Sequence, residues 1–252
     1  MSRQFLAGAA RLTHAPNVEF VEVVTNASFT EEQLDDFVGR CSVDRLSMWA
    51  TFHPTQIELD QFLEGVKGAS DRGAHVVAHA LLFPDTIEVV KELLAACEVL
   101  GIRTDVTLGN NFNDAYPGRG PIPMAGRRAE VEALYRSPVA LEALGVGLIM
   151  PYGERCSAGH DYVRIMENGD VYPCGPYAIS RLDRLGSAVD PLFSLVVRET
   201  RYRACASGMT CFCKEDYFHL ELVRERLRFP RSLGYYETLP EEPATGLHPV
   251  AE

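Results

Sequence analysis

The sequence predicts an α/β protein in which a four-stranded parallel sheet precedes a small domain built on a β-hairpin. Residues 18–108 alternate apolar runs of strand length with segments whose apolar residues recur at helical spacing. A loop rich in glycine and proline follows at residues 109–123. Five of the 7 cysteines are then crowded between residues 156 and 213, a region in which an Asn-Gly pair predicts a hairpin turn.

The first two strands and their helices follow from local signals. Residues 18–24 are predicted to form the first strand. Thr30 predicts the start of the next helix, because its side chain can cap that helix while the Gln33 side chain bonds back to it. A second strand at residues 44–50 leads into a helix that ends near Gly73, since glycine adopts the left-handed conformation that ends helices.

The next units complete a βαβαβαβ order. A third strand is predicted at residues 74–83, a helix at residues 86–100 and a fourth strand at residues 102–108. Right-handed crossovers place these strands parallel and in sequence. Four such strands are half of a (β/α)₈ barrel and cannot close one, so the strand at residues 18–24 has an open edge. A helix at residues 2–12 is the alternative that shields this edge.

These patterns divide the chain into four parts. We predict a partial (β/α) barrel at residues 1–110, followed by a linker with helices at residues 111–150. The small metal-binding domain is expected at residues 151–232. Prolines among acidic and small residues predict a loose tail at residues 233–252.

Composition and charge exclude several classes of partner. The chain has 24 lysine and arginine residues against 35 aspartate and glutamate residues, and its net charge of -11 would repel a phosphate backbone. No stretch approaches the roughly 18 uninterrupted apolar residues that a membrane span needs. The start of the chain lacks the charged and then apolar layout of a signal peptide. We therefore expect a cytoplasmic protein that binds neither nucleic acid nor membrane.

The cysteine pattern predicts a metal site. An odd number of cysteines, mostly grouped, is not typical of a secreted disulfide scaffold, and reduced thiols suit metal ligation. A hairpin turn at Asn168 and Gly169, both expected to take positive φ angles, would bring Cys156 and Cys174 together at its open end. The remaining ligands of a [4Fe-4S] cluster then come from a group of three cysteines, which leaves one candidate spare: Cys205, Cys211 and Cys213.

Zinc is the alternative metal, because four thiolates suit its tetrahedral geometry. The usual pairs of cysteines with two intervening residues are absent, whereas Cys211 and Cys213 have a single residue between them. That spacing crowds one ion but can reach different irons of a cluster, so the cluster is favoured. Cys97 falls on the apolar face of a predicted helix and Cys41 is isolated, so both are predicted to be structural.

The cysteine segment resembles a known motif. The pattern C-x12-G-x4-C, from Cys156 through Gly169 to Cys174, resembles the opening motif of the SPASM and Twitch auxiliary-cluster domains of radical S-adenosylmethionine (radical SAM) enzymes. Upstream, the VVTNAS segment at residues 23–28 resembles the fourth barrel strand of that family with its TN turn. The LSMW segment at residues 46–49 and the apolar run at residues 74–84 resemble the fifth and sixth strands, and the resemblance covers residues 1 to about 216.

The resemblance implies an auxiliary [4Fe-4S] cluster and an S-adenosylmethionine site lined by the ends of the strands. By this resemblance, the candidate residues for that site are Thr25, Asn26, Ser47 and His79. As structural alternatives, Asn26 shapes its turn and His79 is a core histidine with satisfied hydrogen bonds. The C-x3-C-x2-C loop that holds the catalytic cluster of the family is absent, as are the first three strands. The chain alone is therefore not expected to cleave S-adenosylmethionine.

Two hypotheses about function remain open. In the first, the chain is the C-terminal portion of a radical enzyme that modifies a peptide or a small metabolite, and S-adenosylmethionine binds only when the N-terminal portion is supplied. In the second, it is a non-catalytic iron-sulfur or zinc module that docks another chain. The expected macromolecular partners are a separate N-terminal half chain or a second copy of this chain.

Overall fold

The structure is a computed structural model that describes residues 3–111, 120–121, 126–134, 151–189, 197–209, 211 and 219–221. Helices and strands alternate through the first of these ranges. In chain order they are α1 (Arg3–Thr13), β1 (Val21–Thr25), α2 (Glu31–Val38), β2 (Leu46–Phe52), α3 (Leu59–Asp71), β3 (His75–Leu82), α4 (Ile87–Leu100) and β4 (Arg103–Leu108). The predicted alternation of strands and helices is confirmed, although β1 begins three residues later than expected.

The four strands form one parallel sheet in the order β1-β2-β3-β4, which confirms the predicted α/β class. The capping box that starts α2 is also confirmed: the Gln33 backbone N–H donates to the Thr30 hydroxyl at 3.2 Å, and the Thr30 N–H donates to the Gln33 side chain at 3.0 Å. Gly101 ends α4 with a φ of 68°, as its position in the sequence predicted.

The two faces of the sheet differ in character. One face packs with the helices into a single apolar core, to which alternate strand residues such as Val23, Met48 and Val106 contribute. The opposite face carries the intervening residues, and several of these are polar yet buried, namely Ser47, Thr51, His79 and Asp105. The sheet therefore has an apolar face toward the described helices and a second face with buried polar groups.

The predicted N-terminal helix is present as α1 and packs against β1 and α2. Ala9 and Ala10 of this helix are buried in the core. Thr13, at its end, donates to the Ala10 carbonyl at 2.7 Å and accepts from the Ser42 N–H at 2.9 Å, which ties α1 to the loop before β2. Within the described residues, β1 pairs only with β2.

Beyond β4 the described chain forms short elements. Strands β5 (Asn110–Asn111) and β6 (Gly120–Pro121) pair antiparallel inside the segment predicted as a loop, so that prediction was incomplete. Helix α5 (Arg128–Leu134) joins the main core, and its Glu130 forms ion pairs with Lys91 of α4 and with Arg127. The predicted tail at residues 233–252 lies outside the described residues.

The cysteine region forms two small antiparallel sheets. Strands β8 (Arg164–Ile165), β9 (Asp170–Tyr172) and β10 (Gly186–Ser187) make one sheet in the order β10-β9-β8, and β7 (Arg155–Cys156) pairs with β11 (Arg203–Ala204). Helix α6 (Gly175–Ser180) follows β9 directly. In the part of the chain that is described, no helix has both the length and the apolar character required to cross a membrane.

The turn between β8 and β9 lies where predicted, but its geometry differs. Of the turn residues Asn168 and Gly169, only Gly169 has a positive φ, of 85°, so the expectation that both would have one was wrong. The Gly169 N–H donates to the Met166 carbonyl at 2.8 Å, and the Met166 N–H donates to the Asp170 carbonyl at 2.8 Å. This is a turn closed by a glycine bulge, in which one left-handed residue suffices. Asn168 contributes through its side chain, which accepts from the Asp170 N–H at 3.0 Å.

Candidate metal centre

Cys156 lies where three chain segments meet. It belongs to β7, it pairs on one side with Arg203 of β11, and on the other side it forms a single bridge with Leu220. The next residue continues this contact, because the Ser157 N–H donates to the His219 carbonyl at 2.8 Å. Cys156 is thus held by main-chain pairing to segments distant in sequence.

Cys174 enters from the hairpin. It is buried at the start of α6, two positions after the end of β9. Tyr177 of this helix accepts a hydrogen bond from the Ala206 N–H at 2.8 Å, which joins α6 to the segment that follows β11. Burial raises the pKa of the Tyr177 phenol, so the group stays neutral in this contact. The hairpin therefore brings Cys174 to the segment that contains Cys205.

Cys205 and Cys211 come from the last described segment. Main-chain bonds fix Cys205, whose N–H donates to the Glu154 carbonyl at 2.8 Å and whose carbonyl accepts from the Gly153 N–H at 2.8 Å. Cys211 is buried. Cys213, the fifth candidate, lies outside the described residues.

All four described candidates line one cavity. The apolar part of the lining includes Ala158, Tyr177 and Leu220, and two cations stand at it, Arg198 and Arg203; the thiols are those of Cys156, Cys174, Cys205 and Cys211. The cavity measures about 10 Å³, which is room for roughly one water molecule. A cluster therefore requires the cysteine side chains to move apart.

The donor chemistry at this cavity suits an iron-sulfur cluster. The Ala158 N–H donates to the Cys156 sulfur at 3.4 Å, the kind of bond to a ligand sulfur that adjusts a cluster's potential. Among the described residues, no three histidine, cysteine or carboxylate side chains stand close enough as they are to hold a metal ion. Cubane ligands bind different irons and are spread more widely than the ligands of one ion, so the four thiols would have to rearrange to hold either a cluster or zinc.

The two cysteines predicted to be structural lie elsewhere. Cys97 belongs to α4 and is fully buried in the core, and burial raises its pKa to about 11. Cys41 packs against the same core, its thiol donates to the Phe37 carbonyl at 3.3 Å, and burial raises its pKa as well. Neither lines the cavity.

Two of the residues assigned by resemblance to the S-adenosylmethionine site belong to a turn. The Thr25 hydroxyl accepts from the Ala27 N–H at 3.1 Å. The Asn26 side chain accepts from the Ser28 N–H at 3.3 Å and from the Ser28 hydroxyl at 2.7 Å. These bonds stabilise the chain reversal after β1, in keeping with the structural alternative for Asn26. By strand alternation, Thr25 falls on the helix-covered face of the sheet.

The other two, Ser47 and His79, share the polar face. Ser47 lies 3.5 Å from a carboxylate oxygen of Glu22. Both ring nitrogens of His79 are in hydrogen bonds, Nδ1 with the Thr51 hydroxyl at 3.1 Å and Nε2 with the Thr107 hydroxyl at 2.8 Å. His79 therefore has the satisfied environment of a core histidine, and it is tied to both neighbouring strands.

Sequence reasoning missed part of this face. The Trp49 ring lies 4.9 Å from that of His79, and Asp105, which is buried, stands opposite His79 in the register of β3 and β4. Alternate polar residues in β4, Asp105 and Thr107, were the available signal, because residues two apart share a face. No such signal marked Arg198, whose place at the cavity depends on tertiary contacts.

Comparisons with protein-family models, with curated proteins and with solved structures find no match to this chain. The radical SAM and Twitch assignments therefore stay predictions from the sequence.

Proposed function

We propose that the chain is an iron-sulfur protein of the radical SAM and Twitch type whose auxiliary [4Fe-4S] cluster is held by cysteine thiolates. The observation that carries this proposal is the meeting of four cysteines at one cavity, although up to 55 positions separate them along the chain: Cys156, Cys174, Cys205 and Cys211. A cluster there would supply one-electron chemistry or an iron that binds substrate.

The sheet domain supports the barrel part of the proposal. Sequential strand order with the described helices packed on one face is the arrangement of a (β/α) barrel segment. The other face offers Ser47 and His79 toward what would be the barrel interior. We infer a C-terminal portion of a cytoplasmic enzyme that modifies a peptide or small metabolite. S-adenosylmethionine cleavage would need the C-x3-C-x2-C loop from a separate N-terminal portion, since this sequence has none.

Anaerobic reconstitution with iron and sulfide tests the cofactor. We expect a brown protein with broad visible absorption and about four irons per chain. Cys156→Ser and Cys174→Ser should abolish iron loading, because each removes a ligand. A colourless protein with stoichiometric zinc would overturn the cluster assignment.

Two matched controls accompany the ligand variants. Cys41→Ser and Cys97→Ala remove thiols that do not line the cavity, so both should load iron like the parent chain. Equal iron content in ligand and control variants would show that these cysteines do not hold the cluster.

A second candidate function is a non-catalytic module that docks a partner chain. The observation that favours it is the edge strand β1, which pairs on one side only within the described residues and exposes 53% of Val24. Such an edge accepts a further strand by main-chain hydrogen bonding. Both candidates share the cysteine site and differ in whether the added chain brings the catalytic cysteine loop.

A further inference from the structure

Arg198 occupies an unusual position at the cysteine cavity. Its side chain is only 10% exposed, and it lines the cavity together with the four candidate thiols. Arginine is rarely buried to this extent unless an anion accompanies it. Gly159, with a φ of 88°, leaves the space for this side chain, since a Cβ there would lie 2.8 Å from the Arg198 Cδ.

Several contacts fix the guanidinium. Nη1 donates to the Ala158 carbonyl at 3.0 Å, and Nη2 forms an ion pair with Asp183. The Cζ atom lies 5.4 Å from the centre of the Tyr177 ring. Ala158 is also the residue whose N–H donates to the Cys156 sulfur, so Arg198 is connected to a candidate ligand through one peptide segment.

A buried donor of this group stands without an acceptor in the described part of the chain. The buried Nε of Arg198 has no hydrogen-bond partner among the described residues. A buried donor without an acceptor is destabilising, so its retention at a cavity indicates that an acceptor or an anion belongs there. A cluster with four thiolate ligands is such an anion, and its sulfurs are hydrogen-bond acceptors.

We propose that Arg198 is a positioning residue that raises the reduction potential of the cluster. This inference rests on the proposed function, because it requires the cluster to be at the cavity. On reduction the cluster takes up one electron from an external one-electron reductant, no proton is needed, and its net charge becomes more negative by one. A buried guanidinium beside it stabilises the reduced form more than the oxidised form, and the low local dielectric strengthens this effect.

Asp183 opposes this effect. It is the ion-pair partner of Arg198 and is 46% exposed, so its negative charge offsets part of the guanidinium charge while solvent screens it. Removal of Arg198 and removal of Asp183 should therefore move the potential in opposite directions. If the ion pair were only a structural contact, its loss would instead shift the potential in the same direction in both variants.

Redox titration of the reconstituted protein, followed by electron paramagnetic resonance of the reduced cluster, tests the inference. In Arg198→Gln the ratio of reduced to oxidised cluster at a fixed potential should fall about tenfold, a shift of about 59 mV to lower potential. Arg198→Lys should recover most of the parent value, since it keeps the charge. Asp183→Asn should shift the potential upward.

Arg201→Gln is the matched control. Arg201 is 43% exposed, bonds to Asp161 and does not line the cavity, so its loss should leave the potential unchanged. Shifts in the same direction for Arg198→Gln and Asp183→Asn, or no shift in either, overturn the inference and leave the cluster assignment intact. If Arg198→Gln fails to load iron, the test rests on Asp183→Asn. A cluster potential in that variant equal to or lower than the parent value overturns the inference. A parent chain that loads no iron overturns both the inference and the proposed function.

Discussion

Cysteine side chains in this protein occupy two kinds of environment. Cys97 is enclosed by apolar side chains, and the cost of burying a thiolate raises its pKa from 9.0 to about 11. Cys156 accepts a main-chain N–H at its sulfur, and Cys205 is partly exposed at the cavity. Reactivity toward electrophiles depends on the thiolate, so the two environments should differ in reaction rate.

We expect Cys97 to resist alkylation in the folded, metal-free protein. At pH 8 about one thiol in a thousand would be ionised at a pKa of about 11, and burial blocks access as well. The protein is treated briefly with iodoacetamide at a series of urea concentrations, and mass spectrometry identifies the alkylated cysteines. Cys205 should be labelled without urea, and Cys97 only at concentrations that unfold the protein. Because the folded pKa is raised, the stability that the neutral thiol contributes is complete below pH 9 and is lost between pH 9 and about 11. Labelling of Cys97 at the rate of Cys205 in native buffer would contradict this assignment.

For single residues, the sequence identified the candidate cysteine ligands but not the side chains around them. The spacing around Gly169 correctly placed a hairpin between Cys156 and Cys174. Arg198 was not foreseen, because its contacts with Ala158 and Asp183 join positions 40 and 15 residues apart. Local periodicity carries no information about such contacts.

Helix α3 approaches the turn after β1 more closely than a side chain would allow. A Cβ at Gly65 would lie 2.2 Å from the Ala27 carbonyl oxygen, which is main chain and cannot rotate away. Ala27 itself is buried and has a φ of 58°, in the left-handed region. The turn that carries Asn26 is therefore held in an unusual conformation under the body of α3.

Gly65→Ala should lower the free energy of unfolding by about 1–3 kcal/mol, because either α3 or the turn must shift. Gly8→Ala is the matched control, since Gly8 lies inside α1 and a Cβ there meets no atom within 4 Å. That control should be neutral or stabilising by up to about 1 kcal/mol. Urea unfolding followed by circular dichroism measures both. Equal free energies of unfolding for the two variants would show that a Cβ at Gly65 fits against the Ala27 carbonyl without strain.

The longer elements were predictable and the shortest were not. Strands β2 and β3 span 7 and 8 residues and consist mostly of apolar residues, and the helices between strands show clear periodicity, so local signals suffice. Strands β7, β10 and β11 have 2 residues each. Two residues show no alternation, and their pairing depends on tertiary contacts. This is why the β7–β11 pair, which places Cys156 near Cys205, was missed.

The sheet as a whole has an edge at β1 whose outer side is unpaired among the described residues. Val24 on this strand is 53% exposed, and α1 packs against β1 and α2. Exposed parallel edges promote association with other strands, and a charged side chain on such an edge opposes it. How completely α1 protects the edge determines whether a further chain can pair with β1.

We expect the isolated chain to self-associate, and Val24→Lys to reduce this association. Light scattering over a concentration series measures it, together with amide hydrogen exchange at Val21–Thr25. Val99→Lys is the matched control, because Val99 is 86% exposed on α4, away from the edge strand, and its replacement should leave association unchanged. A monomer at all concentrations with a strongly protected β1 would contradict the open edge and the docking of a further chain there.

The convergence of segments at Cys156 also bears on the order of folding. Each strand of the parallel sheet pairs with the strand next to it in sequence, whereas β7 must wait for β11 and Leu220, which lie 47 and 64 positions further along the chain. Contacts between distant positions form late, because closing long loops costs entropy. The sheet domain should therefore fold before the cysteine domain. Under the proposed function a bound cluster would act as a crosslink among its loops, and the sheet would be complete before the cluster is inserted.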